Sequence, residues 1–195
     1  MARSAWTGMF SFGMVNIPSF LLPSDETEGE VDSLRETFAE IREKNREKRN
    51  FKIHQFTQQQ HFFKDLGDLK SLTLPAKHVM QIHGFLPLKE IDSGCYDKSF
   101  MLLPESGAAE PLVLLIDALA EKELIGIGTI HLRNKPTMCA AQTKRGFLMV
   151  NTLLSPDQIS DEDASHLNKT LKEALEAFEK NVERSAKHEK SAQST

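Results

Sequence analysis

Along residues 6–22 (WTGMFSFGMVNIPSFLL), Met9, Ser11, Gly13 and Val15 alternate against Phe10, Phe12 and Met14. Alternation of this kind with aromatic residues predicts a strand. Gly8 and Gly13 mark bulges or a close backbone approach, and Pro18 an edge or a strand start. Residues 23–30 (PSDETEGE) read as a turn or loop. Over 32–49 the apolar positions Leu34, Phe38 and Ile41 step by four and three, which predicts a helix capped by Asp32 or Ser33. Past Ile41 that helix is wholly polar, so it should be exposed, a charged arm and not a core element. Residues 51–63 predict a strand with Phe51, Ile53 and Gln55 on one side. Residues 72–86 hold a short apolar piece that ends at Pro75, followed by HVMQIHGF. A single-turn helix is expected at 87–92, and a strand at 97–103 that ends at Pro104.

The second half is more regular. Leu112, Leu115, Ile116 and Leu119 give a helix over 108–122 one buried stripe, and Pro111 sits in its first turn. Strands follow at 124–133, 136–143 and 147–154. The turns between them are Asn134-Lys135-Pro136 and Lys144-Arg145-Gly146. The second is a tight basic hairpin with a glycine free to take positive φ. From Ser160 onward one long helix is predicted, with Leu167, Leu171, Ala174, Leu175, Phe178 and Val182 on a stripe that needs a partner surface. Its last residues should fray. The pattern is a β-rich α+β protein with an internal helix, a charged helical insertion and a C-terminal helix.

The 195 residues suit one domain, or one domain with an appendage. Hydrophobic residues make up 39% and charged residues 27%, which argues against wholesale disorder. Two cysteines, Cys95 and Cys139, make neither a disulfide framework nor a four-thiolate zinc site. The apolar runs are too short for a transmembrane helix, and the N-terminus lacks the apolar core of a signal peptide, so a reducing cytoplasm is expected.

The net charge of −4 by itself argues weakly against a nucleic-acid partner. Its distribution changes that picture, because the ends are acidic and residues 35–150 hold 17 bases against 14 acids. The densest run holds Arg42, Lys44, Arg46, Lys48, Arg49 and then Lys52. Such a run is either a solvated helix face or a phosphate-tracking stripe. Phe51, Phe56, Phe62 and Phe63 lie among Lys52, His54, His61 and Lys64, and serve either as core-facing strand residues or as a stacking platform.

Catalytic chemistry is hard to assemble. There is no phosphate-binding GxxxxGK[ST] and no GxSxG, and Gly126-Ile127-Gly128 is only a GxG fragment inside a strand. None of the seven histidines falls in HExxH. His78, His83 and Cys95 could be brought together as metal ligands. Cys139 and His131 could pair across adjacent strands, but an apolar setting would raise the thiol pKa. Asp92, Asp97, Asp117 and Glu90 are too dispersed for an acid–base pair. No enzyme, cofactor or metal is expected.

The opening MARSAWTGMFSFGMVNIPSFLLPSDE resembles the start of bacterial Ku proteins. Trp6, Gly8, Ser11, Phe12, Gly13, Val15, Asn16, Ile17 and Pro18 carry the likeness. A second block, GFLPLKEIDSGCYDKSFMLLP, follows the family's segment through Phe85, Leu88, Glu90, Ile91, Asp92, Tyr96, Asp97, Lys98, Leu102 and Pro104. The helix at 111–122 and the strands after it form a third block, through Gly126, Gly128, Leu132, Arg133 and Gly146. The blocks lie within residues 1–26 and 79–159.

The resemblance implies a Ku-like β-barrel core at 1–159, with 27–78 as a divergent arm or bridge, and a C-terminal helix and tail at 160–195. It implies a protein that binds double-stranded DNA ends without sequence preference. Two chains would pair as a homodimer, and a bridge from each would close a ring around the duplex. The ring would recruit the ATP-dependent DNA ligase D in non-homologous end joining, in the bacterial cytoplasm at the nucleoid. Phosphate contacts would then fall to Arg133, Lys135, Lys144 and Arg145 at strand ends. Arg42, Lys44, Arg46, Lys48, Arg49 and Lys52 would supply more from an arm at 35–52. Leu167, Leu171, Leu175 and Phe178 would pack on the chain's own barrel or across the dimer. A second reading is a reduced Ku-like interaction module, or a heterodimer partner, that does not hold DNA alone.

Overall fold

The apolar run at 6–22 is not one strand but a hairpin. In the computed structural model, Gly13 takes φ +57° and turns the chain with Met14. Trp6–Phe12 (β1) then pairs with Val15–Pro23 (β2) in antiparallel register, Phe12 opposite Val15 and Phe10 opposite Ile17. Met14 is 94% exposed, so the alternation that ran through it was two strands read as one. The structure describes residues 3–25, 28–46, 63, 72, 74, 76–133, 135–159 and 166–192.

Helix α1 spans Glu28–Lys44, beginning four residues before the expected start. The strand expected at 51–63 lies outside the described residues apart from Phe63, whose N–H donates to the Phe85 carbonyl at 3.1 Å. Strand β3 covers Val79–Pro87 and leads through two single-turn helices into β4, Tyr96–Pro104. The second helix, α2, is Ala109–Glu121. Strands β5 (Leu124–Leu132), β6 (Lys135–Lys144) and β7 (Phe147–Leu153) follow, each within two residues of its expected bounds. The last helix, α3, is His166–Ala192.

The strands close into a barrel in the order β1-β2-β4-β7-β6-β5-β3. Every neighbouring pair is antiparallel except β1 and β3, which close the barrel through four parallel pairs. Alternate residues of each strand fill the interior: Phe10, Ile17, Leu21, Met80, Leu102, Ile130, Cys139 and Val150 are completely buried. Apart from the smaller Cys139, each contributes about 1.5–3 kcal/mol by burial. Gly8 does what a close approach requires, because a Cβ there would collide with the His78 carbonyl oxygen.

Helices cover what the strands leave open. Leu112, Leu115, Ile116 and Leu119 of α2 join the interior cluster, and the Thr143 hydroxyl donates to the Ile116 carbonyl at 3.1 Å. Phe38 packs α1 against Phe147, with ring centroids 5.6 Å apart. Leu171, Ala174, Leu175 and Phe178 of α3 share a second cluster with Ile125, Ile127, Met138, Ala140 and Leu153. Their stripe is therefore buried within the chain itself, on the outward face of β5, β6 and β7. The Leu167 side chain lies outside the described residues. Because both faces of β7 are covered, all seven of its residues are buried. Among the described residues, no helix is long and apolar enough to cross a membrane.

Candidate nucleic-acid interface

Strand β6 sets the spacing of the basic residues. Lys135 opens it and Lys144 closes it nine steps later, which at about 3.3 Å per residue puts the two roughly 30 Å apart. The four cations expected at strand ends therefore form two patches, at opposite ends of the barrel.

The first patch is the β6–β7 turn. Arg145 takes φ +52° and Gly146 φ +83°, the two left-handed residues of a tight hairpin. Asparagine-glycine is the low-strain choice there, and arginine occupies the first position instead. Lys144 and Arg145 stand on the rim of a groove of about 570 Å³, together with Arg35 of α1. Its floor includes Met101, Phe147 and Met149. The Arg35 guanidinium lies 5.9 Å from the centre of the Phe147 ring and 3.7 Å from Asp32.

The second patch surrounds the β5–β6 turn. Arg133 takes φ +49°. With Lys135 and Lys98 it lines a cavity of about 280 Å³, whose walls include Asp97, Phe100, Leu132 and Leu153.

Arg42 has a different place from the rest of the basic run. Its Nε donates to Asp117 Oδ1 at 2.8 Å and its Nη2 to the Gly146 carbonyl at 3.4 Å. It ties α1 to α2 and props the base of the Lys144–Arg145 turn. Arg42→Ala would leave the largely buried Asp117 carboxylate without its cation. That should cost about 2 kcal/mol in urea unfolding. A wild-type midpoint would show that the pair contributes nothing. Arg46 is exposed and lies 3.9 Å from Glu43, and Lys44 is exposed at the end of α1. Lys48, Arg49 and Lys52 lie outside the described residues.

Two basic residues escaped the reading of the sequence. Arg35 lies two turns before Arg42 on α1, a spacing that was there to be counted. Lys98 carries no comparable signal, since it stands in a strand beside Asp97 and is aimed by a local irregularity.

The groups weighed for catalysis are apart. Cys139 pairs with Gly128 and faces the interior, whereas His131 pairs with Pro136 on the opposite face of the sheet. Complete burial pushes the Cys139 thiol up to about 12. It is therefore protonated at neutral pH and no nucleophile. The ring of His83 shares a hydrogen bond with the Thr129 hydroxyl at 2.9 Å, and burial lowers its pKa. Desolvation raises the Cys95 thiol, with the Asp92 carboxylate adding to it. Among the described residues, no three His, Cys, Asp or Glu side chains are grouped to hold a metal ion.

The family model of the Ku70/Ku80 beta-barrel domain matches residues 64–185, so the match runs past the third block into α3. The chain is 31% identical over 186 residues to the non-homologous end joining protein Ku of Mycolicibacterium smegmatis, covering 87% of this chain and 58% of that one. It is 28% identical over 182 residues to that of Mycobacterium tuberculosis, covering 83% and 64%. To that of Coxiella burnetii it is 25% identical over 177 residues, covering 85% and 65%. The chain thus spans less than two thirds of the length of these relatives. A closed seven-stranded barrel with its covering helices, and a family match over most of its length, place the chain in the Ku family.

Proposed function

We propose that this chain binds double-stranded DNA ends through the phosphate backbone. In this reading two copies pair into a ring that the duplex threads, and the ring recruits an ATP-dependent DNA ligase to join broken ends. The observation that carries the reading is the pair of basic turns on a Ku barrel. Arg133 and Arg145 each stand in a left-handed conformation that costs a non-glycine residue about 1–2 kcal/mol. His78 and Glu123 share that conformation, so it is the charge and exposure of the two arginines that carry the reading. Both side chains are exposed, and neither has a carboxylate partner among the described residues.

The physics suits an unspecific partner. Phosphate contacts fix position and carry no sequence information. Two-fold pairing would double each patch, giving four basic points around one duplex. The overall negative charge, with acids gathered at 25–32 and in the tail, would hold DNA at the patches and away from the rest of the surface.

The test is a gel-shift series at several salt concentrations on linear duplex, on the same duplex with bulky hairpin ends, and on closed circles. Linear DNA should bind in additional discrete steps as it lengthens, while circles and blocked ends do not bind. Equal binding to all three would replace threading with an open basic face. No binding at low salt would leave this chain as a partner module that does not hold DNA alone. The same protein should sediment as a two-chain species and should stimulate ligation by purified ligase D. A monomer, or an unchanged ligation rate, would overturn the corresponding part of the proposal.

A further inference from the structure

The barrel end that carries Arg133 and Lys135 has two backbone irregularities in one place. Strand β4 pairs with β7 in regular register from Leu102 opposite Leu148 to Ser99 opposite Asn151. It then slips, and Tyr96 stands opposite Leu153. Asp97 and Lys98 therefore bulge opposite the single residue Thr152. The Thr152 hydroxyl fills the gap: it accepts from the Lys98 N–H at 3.1 Å and donates to the Lys98 carbonyl at 3.4 Å. A bulge re-aims the side chain it carries. Here the re-aimed side chain is a lysine, and a buried hydroxyl pins both of its backbone groups. Across the cavity stands Arg133, held at φ +49°.

The charges in this cleft are unbalanced. Lys98, Arg133 and Lys135 converge on about 280 Å³, and among the described residues Asp97 is the sole carboxylate in its lining. None of the three cations makes an ion pair among the described residues, although the bulge sets Asp97 beside Lys98. Apolar walls from Phe100 and Leu132 lower the local dielectric, which strengthens attraction for an anion. A planar guanidinium fork flanked by two ammonium groups suits tetrahedral oxyanions.

We propose that this cleft is a phosphate-binding site with Lys98 as its third cation. The choice of DNA as the source of that phosphate rests on the function proposed above. The Lys144–Arg145 turn, roughly 30 Å away along β6 at strand spacing, would make a separate contact.

The full chain tests this in two ways. The first probe is inorganic phosphate, titrated at constant ionic strength against chloride and followed by amide chemical shifts. Phosphate should move Lys98, Arg133, Lys135 and Thr152 and leave Lys144 and Arg145 in place. The second is a gel-shift salt series with Lys98→Ala, Arg133→Ala and Lys98→Arg on linear duplex with 5′-phosphate or 5′-hydroxyl ends. Lys98→Ala should weaken binding about five- to tenfold and reduce the log–log salt slope by about 1 for each Lys98 engaged, about 2 in a two-fold ring, and Lys98→Arg should restore both. Weaker binding on both duplexes would assign an internal phosphodiester, and on the phosphorylated one alone a terminal phosphate. Either supports the site. Duplex binding that ignores Lys98→Ala, together with no phosphate-specific shifts, would overturn the cleft and leave DNA binding standing. Phosphate shifts abolished by Lys98→Ala in a protein that binds no duplex would keep the cleft and overturn the DNA reading.

Discussion

Gly128→Ala should destabilise the barrel by about 3 kcal/mol in equilibrium urea unfolding, a large share of the roughly 5–15 kcal/mol available to such a domain. A methyl group at this position would run into the backbone oxygen of Gln81 and come within 2.8 Å of Ile82 Cδ1. A flexible side chain tip could yield to it, but a strand carbonyl cannot without moving β3. That strand is poorly placed to move. It is paired on both edges, to β1 and to β5, and its Met80 and Leu86 side chains are completely buried. Gly8 guards the other side of the same strand, where a Cβ would strike the His78 carbonyl and approach the Trp6 ring to 2.7 Å. Gly8→Ala with Gly128→Ala should therefore leave no cooperative transition by far-UV circular dichroism. Gly94→Ala is the control. Nothing lies closer than 3.4 Å to a Cβ there, and its backbone is outside the left-handed region, so its cost should stay within about 0.5 kcal/mol. A wild-type midpoint for Gly128→Ala would mean that the β3–β5 spacing relaxes freely.

These glycines show what the sequence made legible and what it did not. A glycine within an apolar strand announces a close approach, and Gly8 and Gly128 both meet a carbonyl of their neighbour. Which neighbour it is depends on barrel closure, which joins residues far apart along the chain. The hairpin at Gly13–Met14 was hidden for a different reason. Methionine counts as apolar in any pattern, yet Met14 stands in solvent at the tip, and the alternation crosses it without a break. Strands β5 to β7 were readable as elements from their length and turns. Their period was not, because the interior covers one face and α3, with α1 at Phe147, covers the other. The long stripe from Leu171 to Phe178 demanded a surface, and the outward face of the same sheet supplies it.

The candidate interface was legible residue by residue and opaque as geometry. Lys144-Arg145-Gly146 reads as an exposed basic turn in sequence and is one in space. Arg42 belongs to the densest basic run in the chain, but only the fold brings Asp117 to it from 75 positions away. Grouping Arg133 and Lys135 with Lys144 and Arg145 ignored the length of the strand that joins them. The bulge that aims Lys98 is a matter of ladder register, and composition and periodicity have no access to register.

Lys144→Glu with Arg145→Glu should weaken binding to linear duplex by a factor of about 30 or more at moderate salt. The salt slope gives the stronger reading. It falls by about 0.9 for every phosphate that the variant no longer neutralises. One engaged turn therefore predicts a reduction of about 2, and a two-fold ring with both turns on the duplex predicts about 4. Weaker affinity alone would not separate binding from folding, so Arg145→Gly completes the test. Glycine takes φ +52° freely, whereas arginine bears the left-handed penalty there. After allowance for the greater freedom of glycine in the unfolded chain, the variant should gain about 0.5–1 kcal/mol in urea unfolding. It should still bind DNA several-fold more weakly. Stability and affinity would then move in opposite directions at one residue, which is the expected mark of a strained position kept for its charge. Unchanged affinity in both variants would remove the β6–β7 turn from the interface.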